Sequence, residues 1–124
     1  MALCCLIVDD NDRFREAARR LLEHEGITVV GEASTSAEAV RQAGELRPTV
    51  ALVDIDLGEE SGFDVASRLS HTTDVEPPSV ILISTYSQRD FADMIEASPA
   101  VAFLPKPDLS ARAIQEILER SGRD

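Results

Sequence analysis

Five side chains of the kinds that handle phosphate or metal ions follow short apolar stretches of this 124-residue chain. Asp9 and Asp10 follow CLIV, and Asp54 follows VALV. Ser84 follows VILI, and Lys106, the single lysine among twelve basic residues, follows AFLP. Short apolar runs of this kind predict strands that are buried on both faces. The acids, the hydroxyl and the ammonium are therefore expected where strands end.

The chemistry that suits this set is phosphoryl transfer assisted by a metal ion. Clustered carboxylates bind Mg²⁺, which prefers oxygen ligands. A carboxylate beside that ion can attack a phosphorus centre and become an acyl phosphate. An ammonium and a hydroxyl would stabilise the charge on the phosphoryl oxygens. Each residue alone has a plainer explanation, because strand-end acids often cap helices and a lone lysine is usually exposed.

These side chains meet only if the strands are parallel in one sheet, so that their carboxyl ends share an edge. Runs rich in Val, Ile and Leu predict five such strands, at residues 2–8, 28–33, 50–53, 79–83 and 101–104. Apolar stripes of helical period lie between and after them, at residues 14–22, 40–46, 63–69, 91–95 and 113–118. Right-handed crossovers would place these helices on both faces of the sheet, in an α/β doubly wound fold.

Bulk properties narrow the classes of function. A hydrophobic content of 44% favours one folded domain, and no apolar run approaches the length of a membrane span. A net charge of −11 makes nucleic acid a poor partner. The N-terminus lacks the cationic start of a secretory signal. The neighbouring Cys4 and Cys5 would point to opposite faces of a strand, so reduced thiols and a cytoplasmic location are expected.

Taken together, these motifs resemble the response-regulator receiver domain of two-component signalling, the CheY-like family. The residues that carry the resemblance are Asp9-Asp10, Asp54, Ser84 and Lys106-Pro107, with Gly62 in the segment VDIDLGEESGFDVA. The resemblance covers essentially the whole chain and implies the flavodoxin-like (βα)5 fold with strand order 2-1-3-4-5. It implies a single receiver domain over residues 1–124 without an output domain. The stretch GEASTSAEAV resembles receivers that carry a helix-turn-helix output domain, so a piece of a longer regulator is the alternative.

The resemblance also implies the metal site and the phosphoacceptor. Asp54 would accept the phosphoryl group. Mg²⁺, with Mn²⁺ as a substitute, would bind the carboxylates of Asp10 and Asp54, Asp9 largely through a metal-bound water, and the backbone carbonyl of Asp56.

Three further residues would act on the phosphoryl group or respond to it. Lys106 would pair with the phosphoryl oxygens and with the acids, and Ser84 would supply the switch hydroxyl. Phe103 stands where the family carries its switch aromatic. The bond between Lys106 and Pro107 would be cis.

The expected function is a two-state switch. A phosphohistidine on a sensor kinase or phosphotransfer protein would phosphorylate Asp54. Ser84 would then move inward, and Phe103 would fill the space that it leaves. The face made by the fourth helix, fifth strand and fifth helix would change for a downstream protein or for a homodimer. Enzymatic activity would be limited to Mg²⁺-dependent self-phosphorylation and autodephosphorylation.

Two alternatives belong to other classes. VDID also resembles the nucleophile motif of haloacid-dehalogenase-type phosphatases, although the acid pair of those enzymes follows the lysine in sequence. The third possibility is a receiver fold that serves as a binding module without phosphorylation.

Some positions depart from the family or have plainer interpretations. Gly58 stands where the family usually has Pro, and Asp108 where an aromatic is frequent. His24 and His71 are expected at the surface, and Met94 in the core. The arginines of the first helix are expected to form a solvated face that could dock a kinase; they are Arg13, Arg15, Arg19 and Arg20.

Overall fold

A five-stranded parallel sheet lies at the centre of the computed structural model, which describes residues 3–71, 77–86 and 88–121. Its strands are β1 (Cys4–Val8), β2 (Thr28–Ala33), β3 (Val50–Asp54), β6 (Ser79–Ser84) and β7 (Ala102–Pro105). The strands β4 (Asp56–Leu57) and β5 (Glu60–Ser61) form a separate antiparallel hairpin. The sheet order β2-β1-β3-β6-β7 confirms the predicted order 2-1-3-4-5 for the five main strands. Residue 2, in the first predicted strand, lies outside the described residues.

Five α-helices pack on this sheet, with starts and stops that the sequence encodes locally. They are α1 (Asp12–His24), α2 (Ser36–Leu46), α3 (Gly62–His71), α4 (Ala92–Ala97) and α5 (Ala111–Arg120). The side chains of Asn11, Thr35 and Ser110 accept backbone N–H groups in the first turns of α1, α2 and α5. Gly26 follows α1 with a φ of 95°, the left-handed conformation with which helices commonly end.

Alternate residues of the buried strands face two helical layers. Ile7 of β1 packs in the cluster that contains Leu22 of α1 and Ile114 of α5. The next residue, Val8, packs in the cluster that contains Leu69 of α3. Helices thus cover both faces of the sheet, and the predicted doubly wound fold is confirmed.

The strand register places the polar strand ends side by side. The last aligned pairs are Val8 with Val53, Asp54 with Ile83, and Ser84 with Pro105. Asp9 and Lys106 come immediately after two of these pairs. All of them lie at the edge where open parallel sheets bind ligands.

The fourth helix differs from its sequence-based description. Its first turn is a 3-10 helix (Gln88–Phe91), and α4 itself has six residues, none of them buried. Met94 is 52% exposed, so the prediction that it belongs to the core is wrong. The half-buried Phe91 and Ile95 make the contact with the core instead, because one stripe of this short helix faces the sheet. Within the described residues, every helix is too short or too polar to cross a membrane.

Candidate functional site

Three carboxylates meet at the carboxyl ends of β1 and β3. Asp9 has no exposed surface, Asp54 is 7% exposed, and Asp10 is exposed. One oxygen of each side chain lies within 4.8 Å of the oxygens of the other two. The fold therefore brings together the three acids that the sequence singles out.

The two buried acids are held in the same way. In each, Oδ1 accepts a hydrogen bond from the backbone N–H two residues later, from Asn11 to Asp9 at 2.8 Å and from Asp56 to Asp54 at 3.1 Å. In each, Oδ2 faces the ammonium of Lys106, at 2.7 Å for Asp9 and 3.1 Å for Asp54. A buried carboxylate without such partners would be costly.

Lys106 reaches the acids from a 3-10 turn (Lys106–Asp108) that follows β7. Its Nζ also lies 4.3 Å from the centroid of the Phe14 ring, in a cation–π contact. The described residues contain no cis peptide bond, so the predicted cis bond before Pro107 is wrong. A trans bond allows Pro107 to occupy the beginning of the 3-10 turn, where the fixed φ of proline fits.

The two predicted switch residues lie on neighbouring strands. Ser84 ends β6 and is buried, and its Oγ accepts the N–H of Tyr86 at 2.9 Å. Phe103 of β7 pairs with Leu82 of β6 and is only 8% exposed. Its side chain belongs to the buried cluster on the face of the sheet that α2 and α3 cover.

Burial and charge set the protonation of the site. Burial raises the pKa of Asp54, and the charge of Asp9 raises it further. The N–H of Asp56 and the ammonium of Lys106 oppose this rise, and the resulting pKa is about 6. Burial lowers the pKa of Lys106, but the close ion pair with Asp9 and the charges of both acids outweigh it, so that pKa is raised. Asp54 is thus largely ionised at neutral pH and more basic than an exposed aspartate.

Two glycines near the site occupy backbone positions that other residues would not fit. A Cβ on Gly62 would lie 2.0 Å from the carbonyl oxygen of Asp54, and its N–H donates to Ile55 O at 2.9 Å. Gly58 has a φ of 73° at the first position of the two-residue turn of the β4–β5 hairpin. This is the pattern of a type II′ turn, and proline is fixed at negative φ. The departure from the family at Gly58 therefore has a backbone cause.

Two residues of the site were missed by sequence reasoning. Phe14 was assigned to an apolar stripe, although it also supports Lys106. The guanidinium of Arg15 donates to the backbone carbonyl of Asp9 at 2.6 Å, and its side chain is only 16% exposed. The prediction of a solvated face is therefore wrong for Arg15. The one signal was Glu32, an acid in a strand, which pairs with Arg15 at 3.2 Å.

Other residues that the sequence singles out have side chains outside the cluster of acids around Lys106. The side chain of Asp56 is exposed, and only its backbone N–H contacts Asp54. His24 and His71 are exposed, as expected for surface residues. Asp108 is exposed in the turn after Lys106.

The donor set fits a small, hard cation. Two of the three clustered carboxylates share one ammonium, and the third, Asp10, makes no hydrogen bond or ion pair with any other described residue. The cluster therefore has an excess of negative charge and supplies oxygen donors alone. Oxygen donors with room for water are what Mg²⁺ requires.

Comparisons with known proteins agree with this geometry. The response regulator receiver domain family matches residues 5–119. A protein-glutamate methylesterase/protein-glutamine glutaminase of Alkalilimnicola ehrlichii is 35% identical over 109 residues, which cover 86% of this chain and 27% of that protein. The transcriptional regulatory protein PdtaR of Mycobacterium tuberculosis is 30% identical over 102 residues, 82% of this chain and 48% of that protein. The chain thus spans about a quarter to a half of the length of these relatives.

Among solved structures, a two-component response regulator of the LuxR family from Aurantimonas sp. is similar throughout the chain. Its TM-score is 0.83 at 25% identity, and the match covers 99% of this chain and 88% of that one.

Proposed function

Because this chain belongs to the response regulator receiver domain family, we propose that Asp54 accepts a phosphoryl group from the phosphohistidine of a sensor kinase or phosphotransfer protein. The observation that carries the proposal is the position of the Asp54 carboxylate. It lies beside two further acids at the open edge of the sheet, with Lys106 as its only cationic contact among the described residues.

In the proposed reaction, one carboxylate oxygen of Asp54 attacks phosphorus, and the P–N bond to the imidazole of the donor breaks. The imidazole nitrogen leaves with the electron pair of that bond and takes up a proton from water. Asp54 suits this role, because a pKa of about 6 leaves it ionised at neutral pH yet more nucleophilic than an ordinary aspartate. Hydrolysis of the resulting acyl phosphate would return the free carboxylate.

Mg²⁺ would be held by Asp9, Asp10, Asp54 and the backbone carbonyl of Asp56, and Mn²⁺ could replace it. When bound, the ion neutralises charge that develops on the phosphoryl oxygens. Lys106 would contribute a second positive charge, since its Nζ is already 3.1 Å from Asp54 Oδ2. The ion pairs with Asp9 and Asp54 raise the pKa of Lys106 despite its burial and keep this ammonium protonated.

Phosphorylation would act by shifting a conformational equilibrium. Ser84 would donate its hydroxyl proton to a phosphoryl oxygen while its Oγ still accepts from Tyr86. Phe103 would link the change at Ser84 to the surface, because its side chain is buried and also lines a groove of about 570 Å³ between α4, β7 and α5. The inward arrangement would be the one that phosphorylation favours, and about 1.4 kcal/mol would change the ratio of the two states tenfold.

The groove would be the surface that a downstream protein or a second copy of the chain reads. Ile95, Phe103 and Ile117 give it an apolar lining, and Glu116 and Arg120 add charged groups. The cytoplasmic location and the lack of direct nucleic-acid binding expected from the sequence stay predictions.

Incubation with Mg²⁺ and acetyl phosphate, followed by intact mass measurement, tests the proposal. We expect one phosphoryl adduct on the wild type and none on Asp54→Asn. Asp56→Asn is the matched control, because its exposed side chain lies two residues away and its backbone N–H is retained; it should still be modified. An adduct on Asp54→Asn would contradict the assignment. Sustained turnover of p-nitrophenyl phosphate would instead favour the phosphatase alternative.

A further inference from the structure

We propose that Arg15 is a positioning residue for the metal-binding acids, and that it acts by holding the backbone carbonyl of Asp9 and not through its charge. The inference rests on the proposed function, because it concerns the same Mg²⁺ site. It assigns a role to a residue that touches neither the phosphoryl group nor any of the three site carboxylates.

The guanidinium of Arg15 joins three elements. Nη1 donates to the carbonyl oxygen of Asp9 at 2.6 Å, Nε donates to Oε1 of Glu32 on β2 at 3.2 Å, and Nη2 forms an ion pair with Asp12 in the first turn of α1. The Arg15 side chain is 16% exposed, so its contacts with Asp9 and Glu32 are partly shielded from water, whereas Asp12 is 87% exposed. The planar guanidinium has N–H donors on three nitrogens and can make all three contacts at once, which the ammonium of a lysine cannot do.

The backbone carbonyl that Arg15 binds belongs to a peptide that controls the direction of two of the site's side chains. The N–H of Asp9 makes a bond to Ala33 O at 3.0 Å, and β1 has ended at Val8. The Asp9 carbonyl belongs to the peptide that joins Asp9 to Asp10, and rotation of this peptide would change the direction of both side chains. Anchoring its oxygen therefore fixes the relative orientation of two of the three acids. Asp10 depends on this anchor most, because its side chain has no other partner among the described residues.

The positioning role and a purely electrostatic role predict effects of opposite sign. A positive charge near a cation site repels the cation, so loss of the Arg15 charge alone would tighten Mg²⁺ binding. Loss of the carbonyl anchor would leave the Asp9–Asp10 peptide less ordered and would weaken binding. Substitution of residues that orient metal ligands typically costs about 10- to 100-fold in affinity.

The test is calorimetric titration of the unphosphorylated protein with Mg²⁺ alone. We expect the Kd for Mg²⁺ to rise about tenfold in Arg15→Ala. Arg19→Ala is the matched control: Arg19 lies one turn later on α1 and pairs with the same Glu32 at 2.8 Å, but it has no contact with Asp9. The Kd of this variant should stay within about twofold of the wild-type value, or fall slightly, because it loses a charge and surface ion pairs but leaves the Asp9 carbonyl anchored. Arg15→Lys should recover part of the affinity.

The outcomes are separable. Wild-type protein that binds Mg²⁺, together with Arg15→Ala that binds equally well or more tightly, overturns this inference and leaves the proposed function intact. Failure of the wild type to bind Mg²⁺ removes the proposed metal site itself. Urea unfolding of each variant in EDTA reports stability separately, and a stability loss without a change in Kd would show a structural role only. If Arg15→Ala does not fold, Arg15→Gln replaces it: positioning predicts weaker binding, and tighter binding refutes it.

Discussion

Replacing Asp54 by Asn should stabilise the unphosphorylated protein, although it removes the proposed phosphoacceptor. In the wild type, the folded state keeps an ionised carboxylate that is 7% exposed and lies close to Asp9 and Asp10. Asn has nearly the same shape and is neutral. Its Oδ1 can still accept the N–H of Asp56, which donates to Asp54 at 3.1 Å.

The magnitude follows from the pKa of Asp54, which burial raises from 3.8 to about 6. At about 1.4 kcal/mol per pH unit, this difference sets an upper limit of about 3 kcal/mol at pH 8. The pKa of about 6 already includes the opposing effect of the ion pair with Lys106, so this limit is the net cost of the charge, and we expect a gain of about 2 to 3 kcal/mol. Proton binding determines how the stability depends on pH. Between pH 3.8 and about 6 the folded state binds more protons at Asp54 than the unfolded state does. The free energy of unfolding of the wild type therefore falls as pH rises through this window.

The assay is urea unfolding of both proteins in EDTA from about pH 5 to pH 8. The stability difference between Asp54→Asn and wild type should be about half as large at pH 5 as at pH 8, where it reaches a plateau. Asp56→Asn, which alters an exposed carboxylate, should show no such trend. An Asn variant that is less stable than wild type at pH 8, or a difference that is the same at both pH values, would refute the account of the acid cluster.

Three other substitutions test neighbouring parts of the site by urea unfolding. Lys106→Met removes the only described cation that pairs with the carboxylates of Asp9 and Asp54, and should cost about 3 kcal/mol at pH 7 and less at pH 5. An unchanged stability would contradict these ion pairs. Gly62→Ala should cost at least about 2 kcal/mol, since its Cβ would collide with the backbone of Asp54 and Ile55. Gly44→Ala in α2 is the control: a Cβ there would have nothing within 4 Å, so this variant should be neutral or more stable by up to about 1 kcal/mol. Gly58→Pro, the residue usual in the family, should cost about 2 kcal/mol because φ is 73°; a stabilised variant would show that the turn is misassigned.

Apolar patterning was sufficient to predict the sheet. The bounds of β2 agree with the predicted strand, and β3 and β6 each extend one residue beyond it, to Asp54 and Ser84. Once the strands are parallel, the residue that follows each apolar run must lie at the shared edge, which is why Asp9, Asp54 and Lys106 could be placed together before any coordinates. Residue type and strand order were enough here, because the distances depend on regular strand geometry.

The misses come from contacts that have no periodic signal. The β4–β5 hairpin has strands of two residues, too short for any alternation to be recognised. The pairing of Arg15 with Glu32 joins residues 17 apart, and nothing near Arg15 in sequence distinguishes it from the exposed Arg13. Met94 belongs to a helical stripe with Phe91 and Ile95, but only the other two residues pack against the core.

The helix α4 is the one α-helix in the described part of the chain that contributes no buried residue. Its N-cap position also makes no side-chain hydrogen bond. Opening this helix would expose little apolar surface, so its amide hydrogens should exchange with solvent through local fluctuations well before the rest of the domain unfolds. Little free energy is needed to change the conformation of a segment with low local stability. An event at Asp54 that changed the groove between α4, β7 and α5 would therefore need to remodel only α4 and would leave the core undisturbed.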